Sequence, residues 1–203
     1  MDKFIAGYHQ FRDSYFNQNK DFLKALMGRP QTPKAMMISC SDSRIDPGLK
    51  FGAEPGDIFM VRNVANLVPP YAPDGDYHGT SAALEFAVQV LEVENIVVMG
   101  HARCGGIGAL VRHQEQSALD FVAAWMKIAM PALERASKQA TGEAALQRAC
   151  EQEAVKESLK NLMTFPWVKA RVEAGKLAIH GWYFDLETGT LHRLNKSGAF
   201  EAV

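Results

Sequence analysis

The chain has 203 residues, 47% of them hydrophobic and 22% charged, with a formal net charge of -1. That length buries a sizeable core without disulfide or metal staples. The near-zero charge leaves no electrostatic footprint for nucleic acid, and no stretch has membrane-spanning length or the apolar core of a secretory signal.

Residues 1–28 mix Phe4, Phe11, Tyr15, Phe16, Phe22 and Leu23 with charges, the pattern of one or two amphipathic helices whose aromatic face must pack on something. Gly28-Arg29-Pro30 stops this arm, and the run Ala35-Met36-Met37-Ile38 begins a sheet. A second strand is predicted over Asp57–Val61 after the Pro55-Gly56 turn, and Pro69–Asp76 reads as a loop. Thr80 or Ser81 is the expected cap of a helix running to about Leu91, with Leu84, Val88 and Leu91 at helical spacing. The strand Ile96–Met99 then leads to His101. Ile107–Val111 should continue a short helix from the Gly105-Gly106 turn. Ala118–Ser137 reads as another helix despite Pro131, and Glu143–Leu162 as a third, rich in alanine. Leu177-Ala178-Ile179 and Trp182-Tyr183-Phe184 form a late strand, and Glu187–Thr190 turns into Leu191–Leu194. This alternation predicts an α/β fold: a mostly parallel sheet of about four to five strands flanked by helices, with an antiparallel strand at the C-terminal edge. No repeat or low-complexity linker interrupts it, so 1–203 reads as one domain, a helical arm over 1–28 and an α/β core over 29–203.

The chemistry concentrates in Cys40-Ser41-Asp42-Ser43-Arg44 and His101-Ala102-Arg103-Cys104-Gly105-Gly106. Each segment follows an apolar run, which places both at turns leaving buried strands, where open α/β sheets form sites. Two cysteines and a histidine suit tetrahedral zinc, and three protein ligands without a fourth leave a position for water or substrate. Asp42 and Arg44, two apart, fall on one side of an extended backbone and can pair. Gly105, at a helix start, offers a backbone donor to an anion. The bland readings stand beside these. A single buried cysteine is ordinarily a small core residue, which is how Cys150 is read, without a role. His9, His113 and His192 read as surface residues and His180 as strand packing. Arg62 and Asn63 read as hydrogen-bonding residues that hold the sheet edge. Three cysteines, an odd count without regular spacing, suit a reducing compartment, so the chain is expected to be cytoplasmic, with neither nucleic acid nor membrane as partner.

The motifs C-S-D-S-R at Cys40, V-R-N-V-A-N-L-V-P-P at Val61–Pro70 and G-H-x-x-C-G-G at Gly100–Gly106, in that order, closely resemble those of β-class carbonic anhydrases of the plant-type subclass. The likeness runs from Gln31 through Gly181-Trp182-Tyr183. It implies one zinc per subunit on Cys40, His101 and Cys104, and reversible hydration of carbon dioxide to bicarbonate and a proton by attack of zinc hydroxide. It implies Asp42 orienting that nucleophile with Arg44 as its partner, and Gln31, Phe59, Val64 and Gly105 lining the substrate cleft, some across a subunit interface. It further implies N-terminal helices packed on a neighbouring subunit, in a homodimer or dimer-based tetramer. Thiolates donate more charge than imidazoles, so activity should favour mildly alkaline pH. Two departures are visible. Phe86 stands where plant-type members have tyrosine, and Met37 where bicarbonate-regulated members have tryptophan, although Arg62 and Tyr183 look like counterparts of their other effector residues. Inhibition by bicarbonate-triggered closing is therefore not expected. His78 or external buffer is a candidate for proton export. Hydrolysis of carbon disulfide or carbonyl sulfide on the same site is the neighbouring alternative, and a structural zinc or thiol module the alternative of another class.

Overall fold

The computed structural model describes residues 1–112 and 119–203; the expected surface position of His113 and the expected helix start at Ala118 lie outside them. The strands are Ala35–Cys40 (β1), Ile58–Asn63 (β2), Asn95–His101 (β3), Ala178–Phe184 (β4), Leu191–Leu194 (β5) and Phe200–Ala202 (β6). They form one sheet in the order β2-β1-β3-β4-β5-β6, in which the first four are parallel and the last two antiparallel. β1 and β3, apolar and buried along almost their whole length, are the covered central strands that such runs predict. The sheet has one strand more than the sequence suggests. Phe200-Glu201-Ala202 is too short to show an alternation and is defined by its pairing with β5. Cys40 pairs with Asn63, and Ser39 with Met99, so the carboxyl ends of β2, β1 and β3 lie side by side.

The described helices are Asp2–Phe11 (α1), Lys20–Met27 (α2), Pro47–Phe51 (α3), Gly79–Glu85 (α4), Gly105–Val111 (α5), Val122–Met126 (α6), Met130–Ala136 (α7), Glu143–Leu162 (α8) and Pro166–Glu173 (α9). The helix expected to reach Ser137 is broken: a tight turn over Lys127–Ala129 separates α6 from α7, and Pro131 falls in the first turn of α7, where its missing N–H costs nothing. α4 starts at Gly79, so neither Thr80 nor Ser81 caps it; the Thr80 hydroxyl instead accepts a hydrogen bond from Asn63 Nδ2 at 3.2 Å. A π turn over Phe86–Val90 carries that helix on towards Leu91.

α8 is the helix that positions the site. It crosses the sheet over Gly100 of β3 and Gly181 of β4, where a Cβ would lie 2.6 Å from Val155 and 2.9 Å from Leu159, distances no real side chain tolerates. Val155 and Leu162 of α8 join Met36, Ile38, Ile96 and Val98 in one core cluster, while Met37, Ile45, Val97 and Met99 form another on the opposite face with Trp182 and Phe184. Glu151, Glu153, Glu157, Ser158 and Asn161 of α8 are buried as well, and each has a polar partner. Arg135 of α7 reaches Glu153 at 2.6 Å and Glu157 at 2.8 Å, and Lys156 adds a second cation to Glu153 at 2.7 Å.

The arm behaves differently. No residue of α1 or α2 is buried, and Phe4 and Met27 are 72% and 77% exposed. Among the described residues no helix is long and apolar enough to cross a membrane.

Candidate metal centre

Cys40 ends β1, His101 ends β3 and Cys104 follows one turn later, so two neighbouring parallel strands deliver all three side chains to one point. Arg103 makes that turn by adopting a left-handed φ of 58°, a conformation that costs a non-glycine residue about 1 kcal/mol. The three ligand atoms lie within 4.8 Å of one another and are buried. Cys40 Sγ and Cys104 Sγ are 3.9 Å apart. His101 Nδ1 bonds the Ala102 carbonyl at 2.9 Å, which fixes the ring and leaves Nε2 buried without a hydrogen-bond partner.

This donor set fits one zinc ion. The two sulfurs oppose each other's ionisation: a hydrogen bond from Cys104 holds the Cys40 thiol well below its usual range, and that bond together with burial drives Cys104 far above it. Burial opposes a charge on His101, but the adjoining Cys40 outweighs it and raises the ring's pKa. A divalent cation would take the place of these protons, letting both sulfurs ionise and giving the orphaned Nε2 its partner. Among the described residues no fourth ligand joins the group, the arrangement of an open rather than a closed site.

The Cys40 loop carries the ion pair expected of it. Asp42 N–H donates to Cys40 Sγ at 3.4 Å, and its carboxylate is gripped by Arg44: Oδ1 accepts from the Arg44 backbone at 3.0 Å and from Nε at 2.9 Å, Oδ2 from the terminal nitrogen at 2.7 Å. The Arg44 hydrogen bonds hold the Asp42 carboxyl well below the usual carboxylate range. Arg44 also donates to the Arg103 carbonyl at 3.0 Å, tying one ligand loop to the other. Arg62 has the structural task expected of it, donating to the carbonyls of Cys40 at 3.0 Å, Asp42 at 2.7 Å and Ile45. Asn63 closes the following turn through Leu67, donating from Nδ2 at 2.8 Å and accepting at Oδ1 at 2.9 Å.

The support behind Cys104 is not visible in any motif. Glu151 of α8, 3% exposed, accepts the Cys104 N–H at 2.9 Å and Gln147 Nε2 at 2.9 Å on one oxygen, and the Tyr183 hydroxyl at 2.8 Å on the other. Gln147 also reaches the Cys104 carbonyl at 3.3 Å. Burial raises the Glu151 pKa against the pull of these donors. Ser158 and Asn161, further along α8, hold Val68 at N–H and carbonyl, and Trp125 donates to the Val64 carbonyl at 2.8 Å. Nothing local marks Glu151; its only signal is the four-residue spacing from Gln147, which puts both on one helix face.

The expected cleft residues do not all converge within one chain. Val64 does: its Cγ1 would sit 3.0 Å from a Cβ at Gly106, whereas a Cβ at Gly105 would meet open space. Val64 and Asn63 also line a groove of about 830 Å³ with His78, Thr80, Phe121 and Trp125. Gln31 borders a separate pocket with Phe22, Leu26 and Pro55, and Phe59 stacks on Phe86 with ring centroids 5.9 Å apart. Tyr183 does not join Arg62. It faces α8, while Met37, Trp182 and Phe184 pack on the other side of the sheet with Ile45, whose carbonyl Arg62 holds.

A family model described as carbonic anhydrase matches residues 35–191, which include every residue of this centre. Beta carbonic anhydrase 6, mitochondrial, of Arabidopsis thaliana is 43% identical over 95% of this chain and 67% of its own length. The chain belongs to the β-carbonic anhydrases. Family members use zinc and catalyse the hydration of carbon dioxide. The β-carbonic anhydrase CcaA superposes over 100% of this chain and 92% of its own with a TM-score of 0.92 at 33% identity. A tetrameric β-carbonic anhydrase of Sordaria macrospora does so over 99% and 98% at a TM-score of 0.83 and 28% identity.

Proposed function

We propose that this chain hydrates carbon dioxide reversibly to bicarbonate, with one zinc ion on Cys40, His101 and Cys104. The observation that carries the reading is the three-ligand cluster beside an aspartate held by arginine, which leaves a coordination position open. Zinc, when bound, supplies the Lewis acidity that makes water a nucleophile near neutral pH. The remaining work falls to side chains. Asp42 Oδ1 already accepts two hydrogen bonds from Arg44, while Oδ2 accepts one and keeps a lone pair with which to orient the attacking water. Arg44 keeps that carboxylate charged and fixes its orientation. Val64 and the open face of Gly105 are suited to an uncharged linear substrate.

The exposed aromatic face of the arm, and the distance of Gln31 and Phe59 from the cluster, support an assembly in which a neighbouring copy covers the arm and receives these residues at its cleft. A dimer or dimer-based tetramer satisfies both. A cytoplasmic, reducing setting fits sulfurs 3.9 Å apart that must not close into a disulfide. The comparisons lend no support to carbon disulfide or carbonyl sulfide hydrolysis, and a closed structural zinc site would need a fourth ligand. Stopped-flow hydration kinetics paired with metal analysis test the reading. Stoichiometric zinc with hydration at the uncatalysed rate from pH 7 to 9 would overturn it.

A further inference from the structure

Hydrating carbon dioxide consumes a water and yields bicarbonate and one proton, so every turnover exports a proton from a centre whose ligands are at most 5% exposed. Histidine is the side chain whose ordinary titration lies closest to neutrality. Among the described histidines, His101 is a ligand, His9 lies on α1, and His180 and His192 lie on β4 and β5. His78 alone lines the groove that borders the centre. The inner end of that groove is fixed by two facts already given: Asn63 is the strand partner of Cys40, and Val64 lies against Gly106, two residues beyond Cys104. Asn63 also donates to Thr80, two residues beyond His78 at the start of α4, so ligand strand and histidine belong to one connected wall. At the other end the His78 side chain is 41% exposed. Its Nε2 lies 2.7 Å from Asp74 Oδ1, which is itself held by the Asp76 N–H at 3.0 Å, leaving Nδ1 for proton exchange.

We propose that the His78 and Asp74 pair is the proton exit of this centre. The inference rests on the carbon dioxide reading above. Once the C–O bond has formed and bicarbonate has left, the water that replaces it gives up the proton it must lose before the next attack. That proton passes through water in the groove to His78 Nδ1 and then to a buffer base, and dehydration runs the same path backwards; no electrons change hands. The other titratable groups lining the two grooves that His78 borders are Tyr71, Asp76, Tyr77, Glu85 and Asp120. No lysine or arginine is among them and the three carboxylates are, so a departing proton moves toward negative charge.

The test is carbon dioxide hydration by the zinc-loaded wild type, His78→Ala and Asp74→Asn, each at low and high buffer. A shuttle acts after bicarbonate has formed, so it enters kcat and not kcat/KM. His78→Ala is expected to lose about 10²-fold in kcat at low buffer, the lower end of proton-transfer effects, with kcat/KM unchanged. Imidazole should restore its kcat, and Asp74→Asn should show a smaller loss of the same kind. Equal kcat for wild type and His78→Ala at low buffer overturns the proposal, as does a loss shared by kcat and kcat/KM that no buffer restores. A zinc-loaded wild type that fails to hydrate carbon dioxide would refute the function instead, an outcome read before any variant is compared.

Discussion

Cys40 stands on a loop whose supporting side chain, Arg44, is 56% exposed, whereas Cys104 is held at both its N–H and its carbonyl by Glu151 and Gln147 from a buried stretch of helix. Two sulfurs bound for one cation are thus mounted in different ways. The Cys104 side is fixed by these hydrogen bonds without a metal, through groups to which the proposed chemistry gives no part. The Cys40 side carries Asp42 and Arg44, the pair proposed to orient water, and they can rearrange at the cost of an ion pair open to solvent. Metal retention and turnover should therefore respond to different residues.

The hardest blow to both sides at once is a ligand exchange. Cys104→Ser or His101→Ala should leave the protein without stoichiometric zinc and with hydration lowered about 10³-fold or more, the several kcal/mol that a metal ion supplies as Lewis acid; metal analysis and stopped-flow kinetics read both. Asp42→Asn and Arg44→Ala should separate the two functions, keeping zinc while losing about 10- to 100-fold in activity. Zinc loss equal to that of Cys104→Ser would show that the Cys40 side also governs binding. Glu151→Gln should do the reverse, weakening zinc about 10-fold against a chelator, and cobalt in place of zinc should report an altered sulfur environment. Unchanged affinity and spectrum would reduce Glu151 to packing.

Acid should reach the fixed side through α8. Lys156 and Arg135 hold the Glu153 carboxyl below its ordinary value of 4.5, against the opposing effect of burial. A lowered carboxylate stabilises the fold fully above that ordinary value and ceases to do so as the pH falls through the lowered one. Glu153→Gln should accordingly be less stable than wild type by about 1 kcal/mol at pH 7, a gap that narrows in thermal unfolding as the pH falls below that ordinary value and through the lowered one. The smallest expected effect is none. Bicarbonate titrated against initial rate near pH 8 should give no sigmoidal inhibition, since Met37 occupies the tryptophan position and Tyr183 turns away from Arg62.

What the sequence disclosed divides along the same line. The Cys40 side was legible because its parts are consecutive: a strand, a ligand, and a pair two residues apart. α8 was legible as a helix to the residue, since alanine, glutamate and lysine in quantity leave little alternative. Its task was not, because Glu151 meets Cys104 across 47 positions of chain and only tertiary packing joins them. Asp46-Pro47 announced α3, with Asp46 capping Leu49 N–H at 3.0 Å and proline in the first turn, and a stricter reading of cap signals would have found it. The broken α6 and α7 followed from Pro131, read as tolerable inside a helix when it belonged at the start of one.

Replacing glycine by alanine is an ordinary route to a sturdier protein, since it restricts the unfolded chain. At Gly100 that recipe should fail: the added methyl group would push Val155, and α8 with it, off the sheet. The first casualty would be the grip on Cys104, four residues along the chain and on the far side of a turn. An engineer screening for heat resistance alone would then meet a folded enzyme that leaks its metal, and would search the ligands in vain for the cause.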